Sequence, residues 1–217
     1  MLPKILLAIV SLLTQTAYTA QAPIDGYGVV AFQFDMPIDP ANATSDTLLV
    51  TGTIQQAIAQ MEASYPGWSK SFTNSLSQRN FSAASLSSRG AKPSIIPESY
   101  NCWGRWKACQ WNAIADGIEY LWRLPIDPKP QNGPGPRKCG KVSCSYNSAI
   151  WWCNDNAVEK TLRWIEIAGG AEYMNGAYGD HWNNKGQCVQ DSGGHWTSAG
   201  QAFYPGNWNV ILNADTC

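Results

Sequence analysis

Charged side chains and histidines are scarce in this sequence. Only 14% of its 217 residues are Asp, Glu, Lys or Arg, and the formal net charge is −1. A nearly neutral chain lacks the basic surface that binds nucleic acids or anionic membranes, so we expect no nucleic-acid partner. The two histidines, His181 and His195, are too few for the common zinc sites, and no Cys-x-x-Cys pair is present. We therefore predict no metal and no cofactor.

The sequence motifs of common hydrolases are also missing. The chain contains no Gly-x-Ser-x-Gly elbow, no His-Glu-x-x-His helix and no phosphate-binding loop. A small secreted ribonuclease would need an acid–base pair that converges around a phosphate. We expect no enzymatic activity and keep a secreted hydrolase as the second alternative. The side chains available for such chemistry are Asp155, Glu159, Glu166, Glu172, Asp180, His181, Asp191 and His195.

Long hydrophobic runs are absent as well. The N-terminal apolar run, residues 5–13, follows Lys4 and is shorter than the ~20 residues that span a bilayer. Small and polar residues follow it, a pattern typical of a secretory signal peptide. We predict a signal peptide at residues 1–20, cleaved between 17 and 22, and a secreted, extracellular protein with no membrane span.

The predicted export determines what we expect of the seven cysteines. In an oxidising compartment they are expected to form disulfides. Seven is an odd number, so one cysteine is unpaired or bonds to another molecule, which predicts a monomer or a disulfide-linked dimer. Sequence alone leaves the pairing open. The cysteines are Cys102, Cys109, Cys139, Cys144, Cys153, Cys188 and Cys217.

Residues 139–153 form the predicted centre of a cysteine-rich module. Val142, Cys144 and Tyr146 alternate with polar residues, which is the period of a half-buried strand. The apolar run 150–153 then predicts a strand buried on both faces.

The rest of the module, which spans residues 102–217, is predicted as two helices and a hairpin. Apolar residues recur at helical spacing in 109–124 and again in 161–178. Two alternating segments, 199–203 and 208–212, flank a Pro-Gly pair that favours a type II turn.

The N-terminal part is predicted as a small β-β-α region over residues 21–68. Strands are expected at 27–36 and 46–50, followed by a helix whose apolar face runs from Ile54 to Met61. Residues 69–101 are rich in serine and predict a flexible linker. An alternative is that the N-terminal region is a pro-region that is removed after secretion.

Two glycosylation acceptors lie in this cysteine-free part of the chain. The sequons are Asn42-Ala-Thr and Asn80-Phe-Ser. In an exported chain both asparagines are predicted as surface glycosylation sites.

A proline- and glycine-rich loop is the predicted contact surface. Residues 125–138 contain five prolines and two glycines together with Lys129, Arg137 and Lys138. We add Trp151 to this candidate surface, because adjacent strand residues point to opposite faces and one of the paired tryptophans could be exposed. The expected partner is an unknown protein or glycan at a cell surface.

The pattern around the central cysteines resembles a known group of proteins. Residues 139–156, 200–203 and 208–212, with 27–30 and 51–55 in the N-terminal part, are similar to cysteine-rich secreted effector candidates of filamentous ascomycete fungi. The element order is also similar, more loosely, to the α/β-sandwich killer toxins of smut fungi and related secreted effectors.

These resemblances imply an α+β fold. The expected architecture is a disulfide-stapled, killer-toxin-like two-layer α/β sandwich with two helices on a small antiparallel sheet, preceded by the β-β-α region. The functional basic residue of the toxins has no matching position here, so no toxin site is transferred.

The resemblance favours a secreted effector- or toxin-like protein that binds a host or competitor cell surface. The first alternative is a carbohydrate-binding module for cell-wall polysaccharide, since flat indole rings suit sugar stacking. That alternative requires several exposed rings in a row. The candidate rings are Trp103, Trp106, Trp151, Trp182, Trp196 and Trp208.

Overall fold

The computed structural model of the protein describes residues 21–42, 44–78, 96–124, 129–176 and 186–217. In these residues the fold mixes helices and strands around one six-stranded sheet and contains three disulfides. The predicted α+β class with disulfide stabilisation is confirmed at this level. The predicted signal peptide lies outside the described residues. No helix in the described ranges is long and apolar enough to cross a membrane.

The elements are numbered in chain order. The described helices are α1 (Ile54–Ser64), α2 (Trp68–Gln78), α3 (Trp111–Arg123) and α4 (Trp164–Asn175). The main sheet contains, in spatial order, β1 (Gly28–Val30), β7 (Lys138–Ser145), β8 (Ser148–Asn154), β13 (Trp208–Ala214), β12 (Gly200–Tyr204) and β4 (Ser99–Cys102). The smaller sheets pair β2 (Phe32–Pro37) with β3 (Thr47–Gly52), β6 (Gln131–Asn132) with β9 (Lys160–Thr161), and β11 (His195–Ser198) with both β10 (Val189–Ser192) and β5 (Cys109–Gln110).

The predicted central segment is the β7–β8 hairpin. Ser145 pairs with Ser148, and the two turn residues Tyr146 and Asn147 both have positive φ, at 48° and 53°. A two-residue hairpin turn of this kind matches the natural twist of the strands. Every residue of β8 is buried, as the apolar run 150–153 predicted.

Helices α3 and α4 cover one face of the main sheet. Both helices lie within the ranges predicted from the sequence, 109–124 and 161–178. Gly170 allows the close approach of α4 to the sheet, because a Cβ there would lie 2.9 Å from Cγ2 of Val210. The Tyr204 hydroxyl donates a hydrogen bond to the Gly170 carbonyl at 3.0 Å. The predicted C-terminal hairpin is also present, as β12 and β13.

The N-terminal region contains the predicted strand pair and helix. Thr53 caps α1 through its side chain, and Gln56 completes a capping box. The first predicted strand is split, because β1 pairs parallel with β7 whereas β2 pairs with β3. The main sheet is therefore not purely antiparallel, which corrects the expectation, and the N-terminal region supplies one of its edge strands.

The predicted linker over 69–101 is wrong at both of its ends. Residues 68–78 form α2, and β4 belongs to the main sheet. Two sets of contacts that the serine-rich composition does not indicate stabilise α2. The carboxylate of Glu62 accepts hydrogen bonds from the backbone N–H groups of Gly67 and Ser69, each at 2.7 Å, and the buried rings of Trp68 and Phe72 stack at 4.7 Å. Residues 79–95 lie outside the described residues.

Three disulfides join six of the seven cysteines. The pairs are Cys102–Cys188, Cys139–Cys153 and Cys144–Cys217. Cys109 is the odd cysteine and is buried in the core. It is 1% exposed, so in this structure Cys109 is an unpaired, buried thiol.

The main sheet carries a different apolar cluster on each face. Trp152 belongs to the cluster under the helices, which also holds residues of α1 and β2. Trp151 belongs to the cluster on the opposite face, where Ala22 and Trp106 are buried and Tyr27 packs against them. The sheet is therefore covered on both sides, and the N-terminal residues contribute to both covers.

Candidate functional site

The three basic residues of the predicted contact loop are not gathered at one point. Lys129 is exposed and lines a cleft. Arg137 is exposed just before β7, and its carbonyl accepts the Gly28 N–H at 2.8 Å. Lys138 is half-buried and lies over Gly28, where a Cβ would come within 2.7 Å of its Nζ. Only Lys129 therefore faces the cleft described next.

We call this cleft the loop cleft. Its volume is about 480 Å³, within the range typical of ligand sites. One wall comes from the end of β1 and from β2, and the other comes from the proline-rich loop and the residue before β9. Its polar side chains are Gln33, Asp35, Lys129, Gln131 and Glu159. Its remaining lining residues are Val30, Ala31, Pro130 and Gly133.

Strand alternation explains how β2 contributes to the loop cleft. Phe32, Phe34 and Met36 point inward and are almost fully buried. Gln33 and Asp35 lie between them in sequence and therefore project from the opposite face of the strand, toward the cleft. The alternation of buried and exposed residues along β2 thus places two polar side chains in one wall of the loop cleft.

Two buried asparagines hold the other wall in place. The Asn132 amide donates to the Trp152 carbonyl at 2.9 Å. The Asn154 amide donates to the carbonyls of Asn132 at 2.7 Å and Val158 at 2.9 Å. These bonds attach β6 and the residues before β9 to the central strand β8. Sequence reasoning missed both asparagines. Asn154 ends the apolar run of β8, which is a recognisable indication, whereas Asn132 follows Pro130 and Gln131 and has no such indication.

The charges in the loop cleft are of mixed sign. One ammonium group, Lys129, faces two carboxylates, Asp35 and Glu159. The side chains of these three residues form no hydrogen bond or ion pair with another described residue. Their side-chain polar atoms therefore have no described protein partner and are available for hydrogen bonds and ion pairs with a polar ligand.

A second polar cluster ties the N-terminal segment to the sheet. The Tyr27 hydroxyl donates to Asp155 at 2.7 Å, and the Asn209 amide donates to the other oxygen of that carboxylate at 2.8 Å. Burial, followed by the bond to Asp155, raises the pKa of Tyr27 to about 12, although Arg137 and Arg105 act in the opposite direction. The two carboxylate oxygens of Asp155 therefore link the N-terminal segment to β13.

The other candidate acid–base groups are dispersed. Glu166 accepts the Arg163 N–H at the start of α4, and Asp191 accepts the Gly194 N–H at the β10–β11 turn. His195 is exposed on β11, while Asp180 and His181 lie outside the described residues. Among the described residues, no group of three His, Cys, Asp or Glu side chains is placed to hold a metal ion.

The candidate tryptophans are mostly in the core. Trp151 is fully buried, and Nζ of Lys141 covers its ring at 5.1 Å. This corrects the expectation that Trp151 contributes to a contact surface. Trp106 and Trp208 are also buried, and Trp103 and Trp196 are half-buried. Trp182 lies outside the described residues.

One predicted glycosylation site is visible at the surface. Asn42 is exposed, and its side-chain oxygen accepts the Thr44 hydroxyl at 2.9 Å and the Thr44 N–H at 3.0 Å. Asn80 lies outside the described residues.

Comparison with known proteins assigns no family to this arrangement. No protein-family description, curated protein or solved structure matches the chain.

Proposed function

We propose that the chain is a secreted, non-catalytic binding protein that acts, in the manner of an effector or toxin, on a host or competitor cell surface. The observation that carries the proposal is the loop cleft. It has the volume of a ligand site, and its three charged side chains have no described protein partner.

The chemistry of the cleft supports a polar ligand of low net charge. One cation and two carboxylates do not suit a polyanion, which needs several basic contacts. The two glutamine amides offer both donors and acceptors to hydroxyl or peptide groups. A cell-surface protein segment or glycan has this character.

The compartment and the architecture are part of the same proposal. Three disulfides and the N-terminal apolar run support an extracellular protein. The killer-toxin-like two-layer sandwich is supported by two helices on one face of the sheet, with the resemblance described above. The burial of Cys109 supports a monomer.

The direct test removes two of the three unpaired charges of the loop cleft, those of Lys129 and Glu159. A Lys129→Ala/Glu159→Ala variant should bind intact target cells about tenfold more weakly or worse and lose the growth or cell-death response. Lys70→Ala, an exposed lysine on α2, is the matched control and should behave like the unchanged protein. Unchanged cell binding by the double variant, with normal secretion and melting temperature, would remove the cleft from the proposal.

The described candidate tryptophans are buried or half-buried, so they do not form the exposed row that the carbohydrate-binding alternative requires. A glycan is kept here only as an alternative occupant of the loop cleft, whose amides and carboxylates favour it. A pull-down on chitin, cellulose and β-glucan tests it directly. Retention on one polymer that is lost in the Lys129→Ala/Glu159→Ala variant supports a glycan ligand. Retention on none of them, together with intact cell binding, points to a protein target.

A further inference from the structure

We infer that residues 21–78 are an integral part of the folded protein. They stay bound to residues 96–217 through non-covalent contacts when the chain between the two parts is cut. They occupy an interaction surface of the cysteine-rich module and are not a pro-region that dissociates. The inference does not depend on the proposed function, because it concerns only which parts of the chain form the fold.

The first part of this surface is aromatic. The ring of Phe32 stacks on Trp152 with centroids 5.2 Å apart and an interplanar angle of 7°. Phe34 stacks on Trp164 at 4.7 Å and 4°. All four side chains are 4% exposed or less, and they share one apolar cluster with α1 and α3. Loss of the N-terminal residues would expose two indole rings in the middle of the module.

A close approach shows that this face is shaped for its occupant. Gly140 of β7 lies directly against Phe32, because a Cβ at that position would overlap the phenyl ring. Only a glycine leaves room for the ring to reach Trp152 beside it. The module therefore carries a recess that the N-terminal phenylalanine fills.

The second part of the surface is the edge of β7. β1 pairs with residues 138–140 of that strand, which would otherwise be an open sheet edge. Beyond β1 the strand has an irregularity between Lys141 and Ser143. There the side chain of Gln55 accepts the Cys144 N–H at 2.9 Å and donates to the Ser143 hydroxyl at 2.8 Å. The N-terminal region thus supplies polar partners that the module lacks at this edge.

No covalent link other than the chain itself holds the two parts together. All seven cysteines lie at or after Cys102, and each disulfide joins two positions of the module. Retention after cleavage would depend on non-covalent contacts, namely the aromatic stacking, the strand pairing, the Gln55 bonds and the Tyr27–Asp155 hydrogen bond. The loop cleft, which takes one wall from each part, would survive the cut.

The test replaces residue 85 of the full chain with a specific protease site that is flanked by flexible linkers. After cleavage, the two fragments should co-elute on native size exclusion at the volume of the uncut protein. They should separate in 6 M urea without a reducing agent, as shown by intact mass spectrometry. Elution of the N-terminal fragment alone, beside a folded module, would overturn the inference.

Matched variants test whether the contacts described above hold the two fragments together. Phe32→Ala should raise the rate at which the cut fragments dissociate by at least about tenfold. Leu49→Ala, an exposed apolar residue of β3, is the control and should leave that rate unchanged. If Phe32→Ala is not secreted, Phe32→Leu should give a smaller effect in the same direction. Equal dissociation rates for all variants would count against the proposed surface.

Hydrogen exchange of the unmodified chain provides a readout that needs no cleavage. Amides of α1 and of β7 should share the slowest, global opening if both belong to one cooperative unit. Exchange of the α1 amides many-fold faster than those of β7 would show an N-terminal region that opens independently, and would contradict the inference.

Discussion

Gln55 takes the place of a strand neighbour for Cys144. Its side-chain oxygen accepts the Cys144 backbone N–H at 2.9 Å, and the two residues are 89 positions apart in the sequence. A glutamine side chain on α1 thereby completes the hydrogen bonding of a strand edge that carries a disulfide cysteine.

The first prediction concerns this bond. Gln55→Ala leaves the Cys144 N–H without its partner, which should lower the free energy of unfolding by about 1–3 kcal/mol. Urea unfolding followed by tryptophan fluorescence measures the change. Gln33→Ala, an exposed glutamine on β2, should alter stability by less than about 0.5 kcal/mol. Equal stability of the two variants would mean that the Gln55 bond contributes nothing.

The second prediction concerns Trp151. Because its ring is fully buried, Trp151→Ala should destabilise the protein by about 3–5 kcal/mol. A residue that served only as a surface contact would instead lose binding at unchanged stability. Thermal and urea unfolding distinguish these outcomes, with Tyr146→Ala at the exposed β7–β8 turn as a control for surface aromatic residues.

The third prediction concerns Cys109. Burial raises the pKa of its thiol to about 12, so the native protein should not react with a thiol reagent at pH 8. One thiol per chain should become reactive in 6 M guanidinium. Non-reducing electrophoresis should show a monomer, and disulfide mapping should find the three pairs given above. Rapid labelling of the native protein would contradict the burial of this side chain.

The fourth prediction is a loss of stability at high pH. The pKa of Cys109 rises from its ordinary 9.0 to about 12, and that of Tyr27 rises from 10.0 to about 12. The folded protein holds these protons more tightly than the unfolded chain does. The free energy of unfolding should therefore be insensitive to both groups below pH 9 and fall as the pH rises toward 12, by at most about 1.4 kcal/mol per pH unit for each group.

A matched variant isolates the contribution of Cys109. Cys109→Ala removes the thiol, so the decline should begin about one pH unit higher, at the ordinary pKa of tyrosine. Denaturant midpoints from pH 7 to pH 11 measure both curves. A decline that starts at the same pH in both proteins would show that Cys109 does not contribute.

The fifth prediction concerns glycosylation at Asn42. The exposed sequon should carry one glycan when the protein is secreted from a eukaryotic host. Asn42→Gln should remove the mass of that glycan without a change in melting temperature beyond about 2 °C. Identical intact masses, after correction for the substitution itself, would exclude occupancy of this site.

The sequence predicted the elements that follow from local periodicity. The β7–β8 hairpin, both helices of the module and the C-terminal hairpin each have a regular apolar pattern that neighbouring residues determine. The cap at Thr53 is local in the same sense. For these elements the correct spacing was sufficient.

Of the elements that sequence reasoning missed, one has a composition that is untypical of a helix and one depends on a distant partner. Helix α2 has a serine-rich composition, and it is stabilised by the carboxylate of Glu62 and the stacking of Trp68 on Phe72. The pairing of β1 with β7 joins residues more than a hundred positions apart. No local pattern encodes such a pairing.

The candidate site was predicted only in part for the same reason. The proline-rich loop and Lys129 were identified from composition, because long basic loops are often functional. Asp35 and Gln33 come from another part of the chain, and they reach the cleft only because β2 packs its phenylalanines on the module. A site with walls from two distant segments has no single sequence motif.

The adjacent rings of Trp151 and Trp152 on β8 allow the two faces of the main sheet to be followed separately by spectroscopy. Each indole N–H is buried and has no hydrogen-bond partner among the described residues, and each ring lies in a different apolar cluster. In nitrogen-15 NMR spectra, the two indole resonances therefore report separately on the two faces of one sheet. Loosening of the N-terminal cover over Phe32 would move the Trp152 resonance, while the Trp151 resonance would respond to changes around Ala22 and Trp106.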